Sequence, residues 1–551
     1  MQNEISRRTF IAGTALTGAA AGAAMMGVQQ AQADDTAVIG KHTWEVKPDP
    51  ITDIAETKDF DIVIVGAGIS GNAAAEAAAR SGASVAVIEQ AGQVTVHGVD
   101  DGSIGSQFQA ENGISIDPEE ATKLLYRWSQ QTANRNLIYQ WATKSGKVFD
   151  HLSEIAAEHG FTTVRALSPT AKWDWQELDE LWREYPDAVS WTDLESDMGM
   201  MTADFRMVNC HIIDTLHDEA VANGAEYFFD THAEQLVGDA ASGISGVIAT
   251  DPDGKYVQFN AAKGVILATG DISGNQEMID CWAPISNRAD ACYYTPAGGN
   301  HGDGILMGMW AGAAHMKAPA APMVHPIDMG PNAALGTISF SWLAVNRNGL
   351  RYSAEMPFEP MVTNARMNQP GNVAWSIFDS DYPIYVQKQF PDTYESLLEG
   401  VQEKLDAGAE AGTSWKADTI EDLANQLGIP ADKLQKTIDR YNELCDAGYD
   451  EDYGVPERFL APVKNGPFYA NSIPAAELVV IFGLHVDDNS QVCTEDDEPI
   501  PGLFAVGNCQ GEFFANSYPV HCPGISHGRA LTFGQLVGEA LAKDTVITAN
   551  D

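Results

Sequence analysis

The stretch that most constrains this chain lies between residues 59 and 89. Asp59-Phe60-Asp61-Ile62-Val63-Ile64-Val65 reads as a buried parallel strand, a short apolar run rich in β-branched residues. It leads directly into Gly66-Ala67-Gly68-Ile69-Ser70-Gly71, and then into an Ala-rich helix from Asn72 to Arg80. A second strand, Ser84-Val85-Ala86-Val87-Ile88, ends at Glu89. Gly66 permits the tight turn, Gly68 lets the backbone approach a pyrophosphate, and Gly71 allows the helix to pack closely on the strand. The helix N-terminus stabilises phosphate charge, and Glu89 is placed to accept a hydrogen bond from an adenosine ribose. A lone G-x-G-x-x-G is a weak signal. With two strands, a helix and a terminal acid in register, it specifies a βαβ dinucleotide-binding unit, with Gly66, Ala67, Gly68, Ser70, Gly71, Glu89 and Gln90 as the contact candidates.

A chain of 551 residues is too long for one simple core, so two or three lobes are expected. The 32 Lys and Arg stand against 77 Asp and Glu, a net charge of −45. Such a surface repels nucleic acid and anionic lipid, which excludes both as partners. Two readings of the acidic surface stay open: a solvated, solubilising face, or a dock for a basic or haem-bearing redox protein. The seven cysteines show no C-x-x-C and no C-x-x-C-H, so no metal site, iron–sulfur run or covalent haem is expected. Any electron-transfer haem belongs to another protein.

At the N-terminus, Ser6-Arg7-Arg8-Thr9-Phe10 precedes a weakly apolar Ala/Gly stretch and Ala31-Gln32-Ala33. A charged start, a modest apolar region and an A-x-A site make a signal peptide, and the paired arginines place it in the twin-arginine class. The apolar stretch is too short and too rich in glycine for a membrane anchor. Residues 1–33 are therefore read as a signal cleaved after Ala33, and residues 34–57 as a linker. Twin-arginine export machinery carries folded proteins, which suits an enzyme that acquires its cofactor before export. The expected location is periplasmic, or the outer face of the cell membrane.

Two later segments point to the cofactor. Gly264-Val265-Ile266-Leu267-Ala268-Thr269-Gly270-Asp271 is a strand ending in A-T-G, and Ile500-Pro501-Gly502-Leu503-Phe504-Ala505-Val506-Gly507-Asn508 is a strand delivering a glycine turn. They resemble the matching segments of two-dinucleotide-fold flavoproteins. Further segments carry a family resemblance: Gly302-Asp303-Gly304-Ile305 with Ala311-Gly312-Ala313, Val345-Asn346-Arg347-Asn348-Gly349-Leu350-Arg351-Tyr352-Ser353-Ala354-Glu355, and Thr532-Phe533-Gly534-Gln535-Leu536-Val537-Gly538. From about residue 58 to 545 the chain resembles the FAD-dependent fumarate reductase/succinate dehydrogenase flavoproteins, including soluble single-subunit reductases and 3-ketosteroid dehydrogenases. The resemblance implies an α/β fold, with a Rossmann-like two-dinucleotide-fold FAD domain built from residues 58–323 and 482–546. It also implies an α+β capping domain inserted at 324–481. The cofactor it implies is FAD, with Thr269, Gly270, Asp303, Gly507, Asn508, Ile525 and Ser526 as further expected contacts.

The family's fumarate site uses a His at the start of the cap, an Arg proton donor, and a late His and Arg that clamp carboxylates. His325-Pro326 matches the first. The proton-donor Arg falls on Glu359, the late His near Val479, and the late Arg near His521. A dicarboxylate needs paired cationic donors, and bringing one to Glu359 is strongly unfavourable. Fumarate is therefore a poor substrate, and a neutral conjugated alkene (an enone, a steroid or a phenolic alkene) fits better.

Reducing C=C beside a flavin requires a proton donor and polarisation of the activating carbonyl. Asn516-Ser517-Tyr518-Pro519-Val520-His521-Cys522-Pro523-Gly524 resembles the 3-ketosteroid dehydrogenase pattern, in which a Tyr and a Gly N–H hold a carbonyl. Tyr518 and Gly524 take those roles by that resemblance and would stabilise a developing enolate. His521 reads either as a proton donor or as a packed histidine in a capping loop. Glu359 reads as a proton donor with a raised pKa or as a solvated carboxylate. Three functions follow. The first is an exported reductase fed by a separate electron-donor protein, a cytochrome or a quinol-linked membrane module. The second is a ketone α,β-dehydrogenase running the reverse reaction, and the third a flavin-binding protein with a degenerate site.

Overall fold

The computed structural model describes residues 41–95, 101–165, 188–192, 211–292, 299–325, 340–355, 359–391, 394–516, 518–519, 522 and 524–547. The chain divides between His42 and Thr43, and every element below belongs to the second unit, Thr43–Asp551. The export signal and His521 lie outside the described residues.

Strand β1 (Ile54–Val65), helix α1 (Ile69–Arg80) and strand β2 (Val85–Ile88) form the βαβ unit, with β1 and β2 parallel. Ile62, Val63 and Ile64 are fully buried, as a central parallel strand requires. β1 begins five residues before the Asp59 start read from the sequence, and the added residues are partly solvated and carry Glu56 and Lys58. Helix α2 (Arg135–Glu158) buries Trp141 and Phe149. Strands β3 (Glu226–Phe228), β4 (His232–Asp239), β5 (Gly243–Thr250) and β6 (Tyr256–Leu267) follow. β3 joins β2 in parallel, and β6 joins the other side of β1 in parallel.

A three-stranded neck comes next, from β7 (Ala291–Cys292), helix α3 (Asp303–Trp310) beside it in sequence, and β8 (Ala321–His325). The chain then builds a lobe of its own: β9 (Leu343–Asn346), α4 (Glu359–Met367), β10 (Ala374–Asp379), β11 (Ser414–Ala417), α5 (Ile420–Leu427), α6 (Ala431–Ala447) and β12 (Phe468–Ser472). Its four strands run in the antiparallel order β9-β10-β12-β11. A separate apolar core, from Phe340 through Trp342, Phe378 and Tyr441 to Ala470, fills it. Strand β13 (Ala476–Ile481) closes the neck, parallel to β7 and antiparallel to β8.

The chain finally returns to the large sheet through β14 (Gln491–Cys493) and β15 (Pro499–Ala505), giving the order β14-β15-β6-β1-β2-β3. β15 lies parallel to β6, so both ends of the chain share one sheet. Helix α7 (Ile525–Ala542) packs on α1. Gly534 and Gly538 sit directly on the backbone of Ser70 and Ala74, which is why the T-F-G-x-x-x-G segment carries small residues. Gln535 donates to the Ala73 carbonyl at 2.9 Å, and Glu76, buried between the helices, pairs with Arg80 at 2.7 Å. Among the described residues no helix is long and apolar enough to cross a membrane.

The cap is held at its first motif. Arg351 bonds Glu355 with Nε at 2.9 Å and Asp450 with NH1 and NH2 at 3.0 and 2.7 Å, and it lies between the rings of Tyr441 and Tyr453. The acidic triplet Asp450-Glu451-Asp452 reads in sequence as a turn or hinge edge. The structure differs: the backbone does turn there, but Asp450 is fully buried as the counter-charge of Arg351.

Candidate functional site

The C-terminal ends of β1, β6 and β15 open onto one crevice, the place where an open parallel sheet binds its ligand. Gly66 caps β1 at φ +103°, in the left-handed region, with its Cβ direction blocked by the Ala268 backbone. Gly68 begins α1 with no side-chain cap, so the helix N-terminus is left open for an anion. A Cβ built on Gly68 would meet only the Thr95 carbonyl oxygen, at 3.9 Å. The loop shape is fixed from below by Asn72, whose amide donates to the Ala67 and Gly68 carbonyls at 2.7 and 3.0 Å and accepts from the Tyr227 hydroxyl at 2.7 Å. Nothing in the sequence reading singled out Asn72; the usable signal is a polar residue inside an otherwise alanine-rich helix.

Glu89 ends β2 and is buried. Its carboxylate accepts the N–H groups of Ala67 and Ala91 at 2.7 and 2.8 Å, and burial raises its pKa despite those bonds. Gln90 is exposed. Thr269 and Gly270 follow β6; the Thr269 hydroxyl accepts the Gly304 N–H at 3.0 Å, which draws the start of α3 to the crevice. Asp303, the first residue of α3, is pushed up in pKa by burial. Gly507 abuts Ser70, and Asn508 follows it. Ile525 is buried and Ser526 partly exposed in the first turn of α7. The glycine loop, the A-T-G turn, the start of α3 and the Gly507 turn are thus brought together from sequence positions more than four hundred apart. An open, uncapped helix N-terminus over a bare glycine, with an acid at the end of the second strand, fits a dinucleotide cofactor.

The remaining candidates fall at the edge of this crevice and in the neck. Tyr518 is 9% exposed, its ring 5.3 Å from that of Phe514, and its carbonyl accepts the Trp128 indole N–H at 3.1 Å. Gly524 caps α7 in the left-handed conformation, φ +68°, and its carbonyl accepts the Gly102 N–H at 2.9 Å. His325 ends β8, buried and opposite Ala476 of β13. Glu359 is the first residue of α4, which packs on β8 through Met367 against Val324; the Glu359 side chain lies outside the described residues. Val479 stands opposite Met323 in the neck, apolar and buried.

Three charged residues in this region were missed in sequence. Asp271 is buried just past Gly270, Glu477 is buried in β13, and Arg529 is fully buried in the second turn of α7. Arg529 donates to the Gln510 carbonyl at 3.1 Å and to Asn508 at 2.8 Å, and lies 4.7 Å over the Phe514 ring. Both of these partners are neutral, and burial pulls its pKa down. The signal was present: each is a single charge inside an apolar run.

A family model described as an FAD binding domain matches residues 61–521. The chain belongs to the FAD-dependent fumarate reductase/succinate dehydrogenase flavoprotein superfamily. It binds FAD and is an FAD-dependent oxidoreductase acting on CH–CH bonds. This flavoprotein is 25% identical over 522 residues to a vinyl phenol reductase of Lactiplantibacillus plantarum, covering 89% of this chain and 98% of the relative. It is also 25% identical to a urocanate reductase of Eggerthella lenta, covering 88% of this chain and 74% of the relative. The fold is similar to that of 3-ketosteroid-Δ4-(5α)-dehydrogenase from Rhodococcus jostii RHA1 in complex with 4-androstene-3,17-dione. That match has a TM-score of 0.70 and 24% identity, and covers 90% of this chain and 100% of the other.

Proposed function

We propose that this flavoprotein reduces the activated C=C bond of a neutral or weakly charged organic molecule, such as an enone, a steroid or a phenolic alkene, and not fumarate. The observation that carries the reading is the neck: where a carboxylate clamp would need a cation, β13 presents buried Val479, flanked by the buried acid Glu477. A dicarboxylate brought there would lose its hydration without gaining a counter-charge. The vinyl phenol reductase relative supports a phenolic alkene in particular.

FAD, when bound, supplies the two electrons. Gly66, Gly68, Gly71, Ser70 and Glu89 would hold its dinucleotide part, and Thr269, Gly270, Asp303, Gly507 and Asn508 would line the crevice around it. The Tyr518 hydroxyl donates a hydrogen bond to the oxygen that activates the alkene, a carbonyl in an enone or steroid and the phenolic oxygen in a phenolic alkene, and the Gly524 N–H joins it, so charge developing on that oxygen is stabilised. His521 and Glu359 are the proton-donor candidates, and His325, which ends β8 in the neck, is a further catalytic candidate. The electrons come from a separate donor protein, a cytochrome or a quinol-linked module, met outside the cytoplasm after twin-arginine export.

The test is anaerobic. Dithionite-reduced holoenzyme is mixed with fumarate, urocanate, cinnamates, vinyl phenols and enone steroids, and reoxidation of the visible flavin band is followed. Fast reoxidation by a neutral or phenolic alkene, with fumarate inert, supports the reading; rapid turnover of fumarate overturns it. Oxidation of a saturated ketone with a dye acceptor, and no reduction in the first assay, would favour the dehydrogenase direction. With the substrate so found, Tyr518→Phe is expected to lower kcat by about 10²–10³-fold at unchanged flavin content, the loss typical of one oxyanion donor.

A further inference from the structure

Arg529 stands in the second turn of α7, four residues after Ile525 and on the same face of the helix, and none of its surface reaches solvent. A charge in that position breaks two rules at once. A buried cation is ordinarily matched by an anion, and the five donors of a buried guanidinium ordinarily all find acceptors. Among the described residues this guanidinium donates to two neutral oxygens, the Gln510 carbonyl at 3.1 Å and the Asn508 amide at 2.8 Å. Its Nε is enclosed and has no hydrogen-bond partner among those residues. The rings of Phe513 and Phe514 stand 5.7 and 4.7 Å from the charge.

The acids of the neighbourhood are engaged elsewhere. Asp271 is reached only by way of Asn508, whose amide nitrogen lies 3.4 Å from Oδ2, and it accepts the Ser273 N–H at 2.7 Å. Asp101 lies 3.3 Å from His527, which is two positions before Arg529 and therefore on the opposite side of α7. Glu512 pairs with His485 at 2.9 Å. Cys509 and Tyr518 are within electrostatic reach of the guanidinium, Cys509 as a thiol that burial raises to about 11. Burial pulls Arg529 itself down to about 9, so its charge survives at neutral pH.

The charge sits one side chain behind the crevice wall. Asn508 follows Gly507 on the turn after β15 and is partly exposed, whereas Arg529 behind it is sealed from water. A charge shielded in this way acts across the wall far more strongly than one in solvent. Reduction of FAD by two electrons with uptake of one proton adds one negative charge to the cofactor. The net charge of −45 disfavours that addition, and a local buried cation opposes it.

We propose that Arg529 is the counter-charge of the reduced flavin: it stabilises the negative charge that two-electron reduction leaves on the cofactor and so raises the flavin's reduction potential. It acts through Asn508 and through the field of its charge, as a positioning residue. This role requires FAD in the crevice and holds whatever the substrate is.

The experiment is a potentiometric titration of holoenzyme with redox dyes and no substrate, on wild type, Arg529→Met and Arg529→Lys. Arg529→Met is expected to lower the equilibrium constant for two-electron reduction about tenfold to a hundredfold, a fall of roughly 30–60 mV for a two-electron couple. Arg529→Lys at about pH 6, where the amine keeps its proton, should recover most of that loss. In wild type alone the potential should fall by about 30 mV per pH unit down to about pH 5, the slope of one proton taken up with two electrons. Twice that slope means that the reduced flavin takes a second proton and carries no added charge, which overturns the proposal. So does an Arg529→Met potential within about threefold of wild type in that constant, even where flavin is lost, because the cation then serves the fold or the pyrophosphate. If Arg529→Met retains no flavin to titrate, the wild-type slope and Arg529→Lys decide. No measurement uses an alkene, so failure of the substrate reading leaves all of them standing.

Discussion

Replacing Gly71 with alanine is expected to unfold the FAD-binding unit, whereas replacing Gly68 with alanine is expected to leave the fold standing and empty it of flavin. The two glycines are three residues apart in one motif, yet their surroundings differ. A Cβ on Gly71 would land on the Gly66 carbonyl oxygen, 3.0 Å from its carbonyl carbon, so the clash is with backbone. Gly66 cannot retreat, because it already sits at φ +103° against the Ala268 backbone, which in turn donates to Val65 at 2.8 Å. Overpacking that cannot relax costs more than about 3 kcal/mol, a large part of the roughly 5–15 kcal/mol that holds a domain folded. Gly68 is different: its φ is −77°, which any residue adopts, and nothing lies within 3.9 Å of the added methyl. That methyl would occupy the space a pyrophosphate needs, so affinity for FAD should fall on the order of tenfold to a hundredfold. Soluble yield and thermal melting test the first variant, and flavin retained per chain after gel filtration tests the second. A Gly71→Ala protein with a wild-type melting temperature, or a Gly68→Ala protein with full flavin, would show that the loop is not built as described.

That loop also shows what the sequence made legible. Strand, glycines, helix and Glu89 are contiguous, so each was readable from spacing, and the A-T-G and Gly507 turns were recognisable because each ends a strand. The joining of residues 54–65 with 256–267 and 499–505 in one sheet is a long-range pairing; it was reached through family resemblance, not through local pattern. The solvated first half of β1 escaped because its charges break the apolar run. The buried charges escaped for a related reason. Asp271 and Glu477 looked like ordinary acids in a chain with 77 Asp and Glu, and only the folded packing takes them out of water. The role of Asp450 was not legible either: the triplet reads as a turn or hinge edge and the backbone does turn there, but nothing local says that its first member faces an arginine 99 residues away.

That arginine sets the largest effect expected in the cap. Arg351→Met should destabilise the cap by about 3–5 kcal/mol, because it strands two buried carboxylates without their cation. Glu355 is 3% exposed and Asp450 fully buried. Burial works against both charges. Glu355 remains raised in pKa even with Arg351 on it, while at Asp450 the Arg351 bonds and the Val455 and Tyr453 N–H groups outweigh burial and hold it below the usual carboxylate range. Part of the loss belongs to packing, since the guanidinium is sandwiched 5.0 and 4.6 Å from the Tyr441 and Tyr453 rings. If the charges are the larger part, neutralising all three residues together, Arg351→Met with Glu355→Gln and Asp450→Asn, should recover most of the stability, because no uncompensated charge is left. Urea unfolding monitored by the tryptophans of the cap, Trp342 and Trp375 among them, measures both variants. An Arg351→Met protein as stable as wild type would remove the network from the account of the cap. A triple variant no better than the single one would assign the loss to the ring sandwich. In either case the R-Y-x-x-E segment acts through the folding of the cap, so turnover per bound flavin should stay near wild type in whatever fraction remains folded.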